Sequence, residues 1–512
     1  MKKIRRILTL ALSVFMLGGT MVQTAEAADE PIDITTYTYG LPEEEAVQKA
    51  YAMKIASNEL TSWPQGPATY GEGAIVMEAK SGAILYAKNM DGKGYPASIT
   101  KILTALIALE NGKLDDTITI TDDSIAFLEY GDAHIGLAPG EEISLHDALY
   151  ALLLASANEV AYAIADNVGE SYEWFLSEMN NRAKELGAVN TNFTNTNGLP
   201  DENHYTTCHD MALITRELLE NHEEFKTISQ TLQYTIPATN LCGESRTFQQ
   251  VHKMFYEWEQ YYYPNAVAGK TGYTDAAMNT LVTCADDGNL ELICVVLKTH
   301  GRNVYTDTAS LLDYGFQNFK KVNIEENEDS QDFKKIEKGS YVVLPEGVAF
   351  RDLKSEITED AEDRAKGTVT YTWEDNPVGS AKVTFSKAYL KAHDIEIPSL
   401  DKGSATSKKS GADWKKIIWI VAVVLIILLV IRMVMVAVVR RKKREARRRR
   451  RIEAERARRQ MMRQQNEGYQ NVRRQSERYQ SSGTRNASRQ NERNQNVRQQ
   501  NTRQRDGGYS GR

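Results

Sequence analysis

The sequence predicts an α+β fold whose sheet is assembled from both ends of one domain. A β-hairpin pattern comes first, with apolar stretches at 74–77 and 83–86 on either side of Ser81-Gly82. Helical periodicity then dominates the middle of the chain. Apolar, β-rich stretches return at 281–285 and 292–297. This order predicts a sheet with a helical insertion between its two halves.

A Ser-x-x-Lys motif opens a strongly periodic helix. Ser98 and Lys101 are followed by Ile102, Leu106 and Leu109 at helical spacing. Residues three apart share one helix face, so the hydroxyl and the amine can touch. A desolvated lysine amine can take the serine proton and so create a nucleophile. Alone the motif is weak, because serine is common in first turns and lysine is common on surfaces.

A Ser-x-Asn motif lies at a break between two helical patterns. Ser156 and Asn158 follow the apolar periodicity of 145–153 and precede that of 160–165. Ser144 is predicted to cap the first of these helices. Such a break can present two polar side chains to a cleft, although an ordinary polar corner between helices has the same pattern.

A Lys-Thr-Gly motif opens the strand-rich region of the domain. Lys270 and Thr271 offer a charge and a hydroxyl that suit a carboxylate, and Gly272 permits a ligand to approach the backbone. The sequence 286–289, Asp-Asp-Gly-Asn, predicts a hairpin further along. A plain β-turn at the motif is the alternative.

Together the three motifs resemble those of penicillin-binding proteins and serine β-lactamases. The sequences around them, at 96–101, 197–199, 204–207 and 270–274, are similar to those of D-alanyl-D-alanine carboxypeptidases, and the resemblance covers about residues 45–400. It implies a penicillin-binding domain at 45–322, in which helices flank an antiparallel sheet. The active site would lie between that sheet and a helical lobe.

The resemblance also implies roles for single residues. The implied catalytic residues are Ser98, Lys101, Ser156 and Asn158. The implied substrate-binding residues are Lys270, Thr271, Gly272 and Tyr273. Ser98 would attack the carbonyl, Lys101 would accept its proton, and Ser156 would relay a proton to the leaving group. The backbone N–H groups of Ser98 and Tyr273 would form an oxyanion hole.

The expected function is that of a serine-type D-Ala-D-Ala carboxypeptidase acting on peptidoglycan stem peptides and acylated by β-lactams. No metal or cofactor is expected. A D,D-endopeptidase would use the same residues. A serine β-lactamase of class A would carry Glu-x-x-Leu-Asn, which does not occur between Asn158 and Lys270. A non-catalytic wall-binding scaffold is the remaining alternative.

A small all-β domain is predicted after the main domain, at 338–398. Val369, Tyr371 and Trp373 alternate with polar residues, as strands with one buried face do. The acidic stretch 325–332 is interpreted as a linker before it, and the Gly/Ser/Lys-rich segment 399–413 as a flexible tether after it.

Both ends of the chain carry membrane-targeting patterns. Residues 1–27 have the basic start, apolar stretch and Ala-x-Ala end of a secretory signal. Residues 417–439 are apolar enough to span a bilayer, and the basic segment 440–512 follows at once. By the positive-inside rule we expect a single-pass protein of the cell membrane with its catalytic domain outside and its tail in the cytoplasm.

Charge is divided unevenly along the chain. Residues 440–512 hold 24 Lys and Arg against 7 Asp and Glu, although the whole chain has a net charge of −7. The rest of the chain is therefore strongly acidic, so nucleic acid is not an expected partner of the folded part. The basic tail is interpreted as a stop-transfer signal, an anionic-lipid contact or a cytoplasmic interaction segment. The pairing of the four cysteines is left open.

Overall fold

The computed structural model describes residues 30–395 with the exception of residue 362. The predicted signal (1–27), tether (399–413), membrane span (417–439) and basic tail (440–512) lie outside the described residues. Within the described part, no helix has both the length and the apolar composition needed to cross a bilayer.

The helices and strands are numbered in chain order. The α-helices of the described residues are α1 Glu43–Tyr51, α2 Lys101–Asn111, α3 Asp122–Ala126, α4 Leu145–Leu153, α5 Asn158–Asn167, α6 Tyr172–Glu185, α7 Cys208–Asn221, α8 Glu223–Ser229, α9 Asn303–Asn318, α10 Ile324–Asn327 and α11 Lys387–Ala392. Short 3₁₀ turns cover Ala56–Glu59, Ala97–Thr100, Lys253–Phe255 and Phe350–Asp352. The strands are β1 Gly73–Glu78, β2 Ile84–Lys88, β3 Thr117–Thr119, β4 Glu142–Ser144, β5 Gln233–Ile236, β6 Arg246–Gln249, β7 Ala266–Thr274, β8 Met278–Asp286, β9 Glu291–Thr299, β10 Phe319–Asn323, β11 Phe333–Ile336, β12 Tyr341–Pro345, β13 Lys354–Glu359, β14 Lys366–Trp373 and β15 Asn376–Phe385.

The main sheet is antiparallel and has the strand order β2-β1-β9-β8-β7. Its first two strands come from the start of the domain and the other three from its end, with α2 to α8 between them. The predicted hairpin at 286–289 joins β8 to β9. The α+β fold with a helical insertion is therefore confirmed.

Both faces of this sheet are buried, which explains why its strands are continuous apolar stretches in the sequence. Along β1, Ile75 and Met77 pack with the helical lobe, whereas Ala74 and Val76 pack on the opposite side with α9. Adjacent strand residues point to opposite faces, so a strand covered on both sides needs apolar residues at every position.

Helix α2 is the centre of the helical lobe and positions the site. All residues from Lys101 to Ala108 are buried, and α2 packs against α4, α5, α6 and α7. A 3₁₀ turn, Ala97–Thr100, directly precedes this helix at the edge of the core. Ser144 caps α4 by accepting from the Asp147 N–H at 3.0 Å, as predicted.

A second sheet follows the main domain, with the strand order β10-β12-β15-β14-β13 and with β11 paired to β15. Its apolar residues belong to the same hydrophobic core as α9 and one face of the main sheet. Hydrogen bonds join it to the catalytic part of the chain as well, from Tyr341 Oη to Glu78 (2.8 Å) and from Trp373 Nε1 to the Thr61 carbonyl (2.9 Å).

The second sheet begins earlier than the sequence predicts, at Phe319 rather than at residue 338. The acidic stretch 325–332 is not a free linker, because it begins within α10, next to the fully buried Ile324. Glu328 accepts a hydrogen bond from the Tyr371 hydroxyl on β14. Most of the stretch is exposed, but the partner of Glu328 lies 43 residues further along the chain, so composition alone could not reveal that this segment is attached to the second sheet.

The four cysteines are all free thiols. Cys208, Cys284 and Cys294 are buried, and Cys242 is half-buried near the β5–β6 turn. Burial raises the pKa of the Cys208 and Cys284 thiols, which therefore behave as small apolar side chains.

Removing a large side chain from α2 tests the role of this core. Leu106 is fully buried, so Leu106→Ala is expected to lower the free energy of unfolding by about 2–5 kcal/mol. Leu241 is 59% exposed, so the control variant Leu241→Ala is expected to change the free energy of unfolding by less than about 0.5 kcal/mol. Urea unfolding of the two variants gives the comparison. Equal effects would show that α2 is not the packing centre.

Candidate active site

The turn that carries Ser98 is held in a strained conformation. Ala97 has φ +51°, which L-residues rarely adopt and which costs about 1–3 kcal/mol. The Thr100 hydroxyl donates to the Ala97 carbonyl at 2.9 Å. His204 supports this arrangement, because its Nδ1 accepts from Thr194 N (3.0 Å) and its Nε2 therefore donates to Thr100 Oγ1 at 2.8 Å. Burial lowers the pKa of His204 to about 4, so the imidazole stays neutral.

Lys101 lies at the centre of the site, and its amine is fully buried. Its Nζ is 2.9 Å from Ser98 Oγ, 2.7 Å from Asn158 Oδ1 and 2.6 Å from the Asn197 carbonyl oxygen. A neutral amine has two N–H groups and one lone pair. Because two of the partners are carbonyl oxygens, they take both N–H groups, and the lone pair is left for the Ser98 hydroxyl proton.

The two lysines of the site are both driven toward the neutral state. Burial lowers the pKa of Lys101 well below its ordinary value, and the nearby charge of Lys270 lowers it further. Burial also lowers the pKa of Lys270, to about 7. Desolvation disfavours the charged form of each amine, and two adjacent cations repel. The site can therefore hold Lys101 as a free base near neutral pH.

The Ser-x-Asn motif lies between α4 and α5, as predicted. Ser156 has φ +59° and is the second strained residue of the site. Its Oγ accepts from Lys270 Nζ at 3.0 Å. Asn158 directs its carbonyl oxygen at Lys101, which leaves its amide NH₂ for another acceptor. The motif thus links both lysines of the site.

Strand β7 forms the other wall of the site and carries the Lys-Thr-Gly motif. A Cβ on Gly272 would lie 2.9 Å from Ser98 N, so a glycine is required for this close approach. The Thr280 hydroxyl on β8 donates to the Pro96 carbonyl at 2.8 Å and fixes the strand against the Ser98 turn. Tyr273 follows, with a side chain that is 57% exposed.

One part of the site was not assigned from the sequence. Asn197 contributes its backbone carbonyl rather than its side chain, and Gly198 (φ +87°) lies directly against the Ser98 turn. A Cβ on Gly198 would be 1.8 Å from the Ala97 carbonyl oxygen. The Asn-Gly pair was visible as a family-like sequence, but its role in positioning Lys101 follows only from the tertiary contact.

The structure thus brings the predicted residues of all three motifs into one cleft between the main sheet and the helical lobe. Ser98 and Lys101 come from the start of α2, Ser156 and Asn158 from the α4–α5 break, and Lys270 from β7. A nucleophile, a neutral amine and a hydroxyl beside a second lysine define an active site for acyl transfer. The fold and this arrangement are those of a penicillin-binding serine peptidase.

Comparison with known proteins gives the family. The chain belongs to the D-alanyl-D-alanine carboxypeptidase family, whose model matches residues 60–301. It is 31% identical to D-alanyl-D-alanine carboxypeptidase DacB2 of Mycobacterium tuberculosis, covering 49% of this chain and 84% of that protein. It is 29% identical to DacF of Bacillus subtilis, covering 56% and 75%. The solved Streptomyces K15 DD-transpeptidase is 27% identical with a TM-score of 0.46, covering 49% and 99%.

Gly198→Ala is expected to disrupt the site without unfolding the protein. The added Cβ would meet the Ala97 carbonyl, so the Ser98 turn must shift and covalent labelling by penicillin should fall at least about 100-fold. Gly288→Ala is the matched control, since Gly288 has φ +84° but no atom within 4 Å of an added Cβ. Labelling of Gly198→Ala at the control's rate would contradict the proposed close packing.

Proposed function

We propose that this protein is a D-Ala-D-Ala carboxypeptidase that removes the terminal D-alanine from peptidoglycan stem pentapeptides through an acyl-enzyme on Ser98. The observation that carries the proposal is the geometry of Lys101, whose two N–H groups are taken by carbonyl oxygens while its lone pair faces Ser98. The catalytic residues are Ser98, Lys101, Ser156 and Asn158, and the substrate-binding residues are Lys270, Thr271, Gly272 and Tyr273.

In the acylation step, Ser98 Oγ attacks the carbonyl carbon of the penultimate D-alanine, and its proton passes to Lys101 Nζ. The resulting ammonium has three N–H groups and three oxygen partners, so no hydrogen bond is lost when it forms. The N–H groups of Ser98 and Tyr273 would stabilise the negative charge that develops on the carbonyl oxygen.

Collapse of the tetrahedral intermediate breaks the peptide bond and releases D-alanine. The leaving nitrogen receives a proton from the Ser156 hydroxyl, which is replenished by the proton that Lys101 took from Ser98, so Lys101 becomes a free base again. Lys270 Nζ, 3.0 Å from Ser156 Oγ, stabilises the charge that develops on Ser156 during the transfer. The Asn158 amide group holds the substrate backbone in register. Water then attacks the ester carbonyl and gives its proton to Lys101, which passes the proton to Ser98 Oγ as the ester bond breaks, so that both Ser98 and neutral Lys101 are regenerated.

Recognition of the free carboxyl end explains why the terminal residue is removed. Lys270, the first residue of the Lys-Thr-Gly motif, is buried, and Thr271 adds a hydroxyl beside it. A substrate carboxylate bound there would pair with the Lys270 ammonium and offset the free-energy cost of burying that charge. A β-lactam offers a strained amide and a carboxylate at the same spacing, so penicillins should acylate Ser98.

D-alanine release from a diacetyl-lysyl-D-alanyl-D-alanine peptide tests the function directly. The wild-type chain is expected to release D-alanine and to be labelled by a fluorescent penicillin, while Ser98→Ala does neither and keeps its unfolding temperature. A Ser98→Ala protein that is still labelled would exclude the assigned nucleophile. Penicillin labelling without D-alanine release, followed by cleavage of cross-linked peptide, would instead favour a D,D-endopeptidase. Rapid hydrolysis of the penicillin itself would favour a β-lactamase.

The pH dependence of kcat/KM should show the ionisation of Lys101 on its acid side and of Lys270 on its alkaline side. Lys101 must be neutral to accept a proton, so activity rises through its lowered pKa as pH increases. Lys270 must be charged to bind a carboxylate, so activity falls as pH passes about 7. In Lys270→Arg the cation persists at high pH, and the alkaline limb is expected to shift upward whatever the overall rate. An unmoved alkaline limb would show that Lys270 does not cause it.

We also propose that residues 1–27 direct export, that 417–439 anchor the chain in the cell membrane, and that the basic tail 440–512 contacts anionic lipid on the cytoplasmic side. In intact cells, external protease should remove the catalytic domain and spare an epitope placed after residue 512. Deleting 417–512 should release active enzyme into the medium. Full protection of both parts, or retention of the enzyme in the membrane after the deletion, would refute this topology.

The lipid contact is tested separately, by cosedimentation of a 440–512 peptide with phosphatidylglycerol vesicles. The peptide is expected to sediment with these anionic vesicles.

A further inference from the structure

The loop between α3 and β4, residues 127–141, lies directly beside the site. Its Ala133 carbonyl accepts a hydrogen bond from the Asn158 N–H at 2.8 Å, at the first residue of α5. Asn158 is also the residue whose side chain accepts from Lys101. One backbone hydrogen bond therefore connects this loop to the partner of the lysine base.

A buried carboxylate that the mechanism does not use holds the same loop. Glu159 is fully buried in the first turn of α5, and its Oε1 accepts from the Ile135 N–H at 2.7 Å. Burying a carboxylate is unfavourable unless hydrogen bonds compensate for the lost hydration. The backbone of the loop compensates through Oε1 alone, because Oε2 has no hydrogen-bond partner among the described residues, and burial raises the pKa of Glu159.

The far end of the loop is fastened by a second buried carboxylate. Glu141 accepts from Ala138 N at 2.9 Å, from Thr239 Oγ1 at 2.6 Å and from Arg246 at 2.5 Å. Burial alone would raise its pKa, but these hydrogen bonds and the Arg246 charge outweigh it, and the pKa is lowered. The loop is thus held in two places, and at the end that touches Asn158 the Glu159 carboxylate acts together with the hydrogen bond from Asn158 N–H to the Ala133 carbonyl.

We propose that Glu159 is a positioning residue, whose carboxylate fixes the 127–141 loop against α5 and thereby orients Asn158 toward Lys101. The proposal deepens the proposed function and rests on it. The titratable groups that face Glu159 are His134 on the loop and Lys101 on α2, and Asp132 on the loop is a second carboxylate near Lys101. The Glu159 carboxylate thus also lies where it favours the protonated form of Lys101, which arises when Ser98 gives up its proton.

Glu159→Gln keeps the size of the side chain but removes its charge. The Ile135 N–H is then left with a neutral amide oxygen, which is a weaker acceptor than a carboxylate oxygen, and the new NH₂ group is buried beside the loop. Three readouts are expected to change. The rate of acylation by penicillin falls on the order of 10- to 100-fold. The acid limb of the kcat/KM profile moves to lower pH, because an anion that raises the pKa of Lys101 is lost. Chymotrypsin cleaves faster after Tyr130, a fully exposed residue of the loop, as mapped by mass spectrometry.

Glu72→Gln is the matched control. Glu72 is an equally buried carboxylate, whose partners are Thr38 and Lys298 rather than residues of the site. The control is expected to acylate at nearly the wild-type rate, with an unchanged acid limb and unchanged cleavage after Tyr130. Both variants are compared below their own unfolding temperatures, so that a loss of global stability does not enter the rates.

The outcomes are distinct. Slow acylation, a lowered acid limb and faster cleavage in Glu159→Gln alone support the proposal. Equal defects in both variants, wild-type acylation in Glu159→Gln, or an acid limb that does not move overturn it. If the wild-type chain itself is not acylated, the proposed function fails, and the chymotrypsin comparison still decides whether Glu159 holds the loop.

Discussion

The site depends on one desolvated amine. Lys101 is enclosed by α2, the α4–α5 break and the Asn197 backbone, and its oxygen partners fit a neutral amine before proton transfer and an ammonium after it. Its burial is possible only because the helical lobe closes around the first turn of α2. The packing of the lobe and the basicity of the lysine are thus a single property of the fold.

Strain and close packing maintain that arrangement. Ala97 and Ser156 both have left-handed backbone conformations, and Gly198 and Gly272 allow neighbouring segments to approach the Ser98 turn more closely than a Cβ permits. Such conformations persist only where the surrounding structure imposes them. The main sheet, buried on both faces, supplies a rigid support for this purpose.

Local sequence patterns predict much of the fold and of the candidate site. The spacing of Ser98 and Lys101, the cap at Ser144 and the hairpin at 286–289 follow from interactions within a few residues, and the structure contains each of them. The roles of the Asn197 carbonyl and of Glu159 were not predicted, because each depends on a backbone group brought close only by tertiary folding. The acidic stretch 325–332 was misinterpreted for the same reason.

The shared core of the two sheets has a consequence for modularity. Phe319, Val343 and Val369 of the second sheet belong to the same apolar cluster as α9 and the outer face of the main sheet. A chain cut between them would expose apolar surface on both fragments, and the two parts are expected to melt in one cooperative transition. The second sheet therefore cannot be exchanged for an unrelated domain without exposing this core. Substitutions at its residues in the shared apolar cluster must also preserve the packing of the catalytic domain.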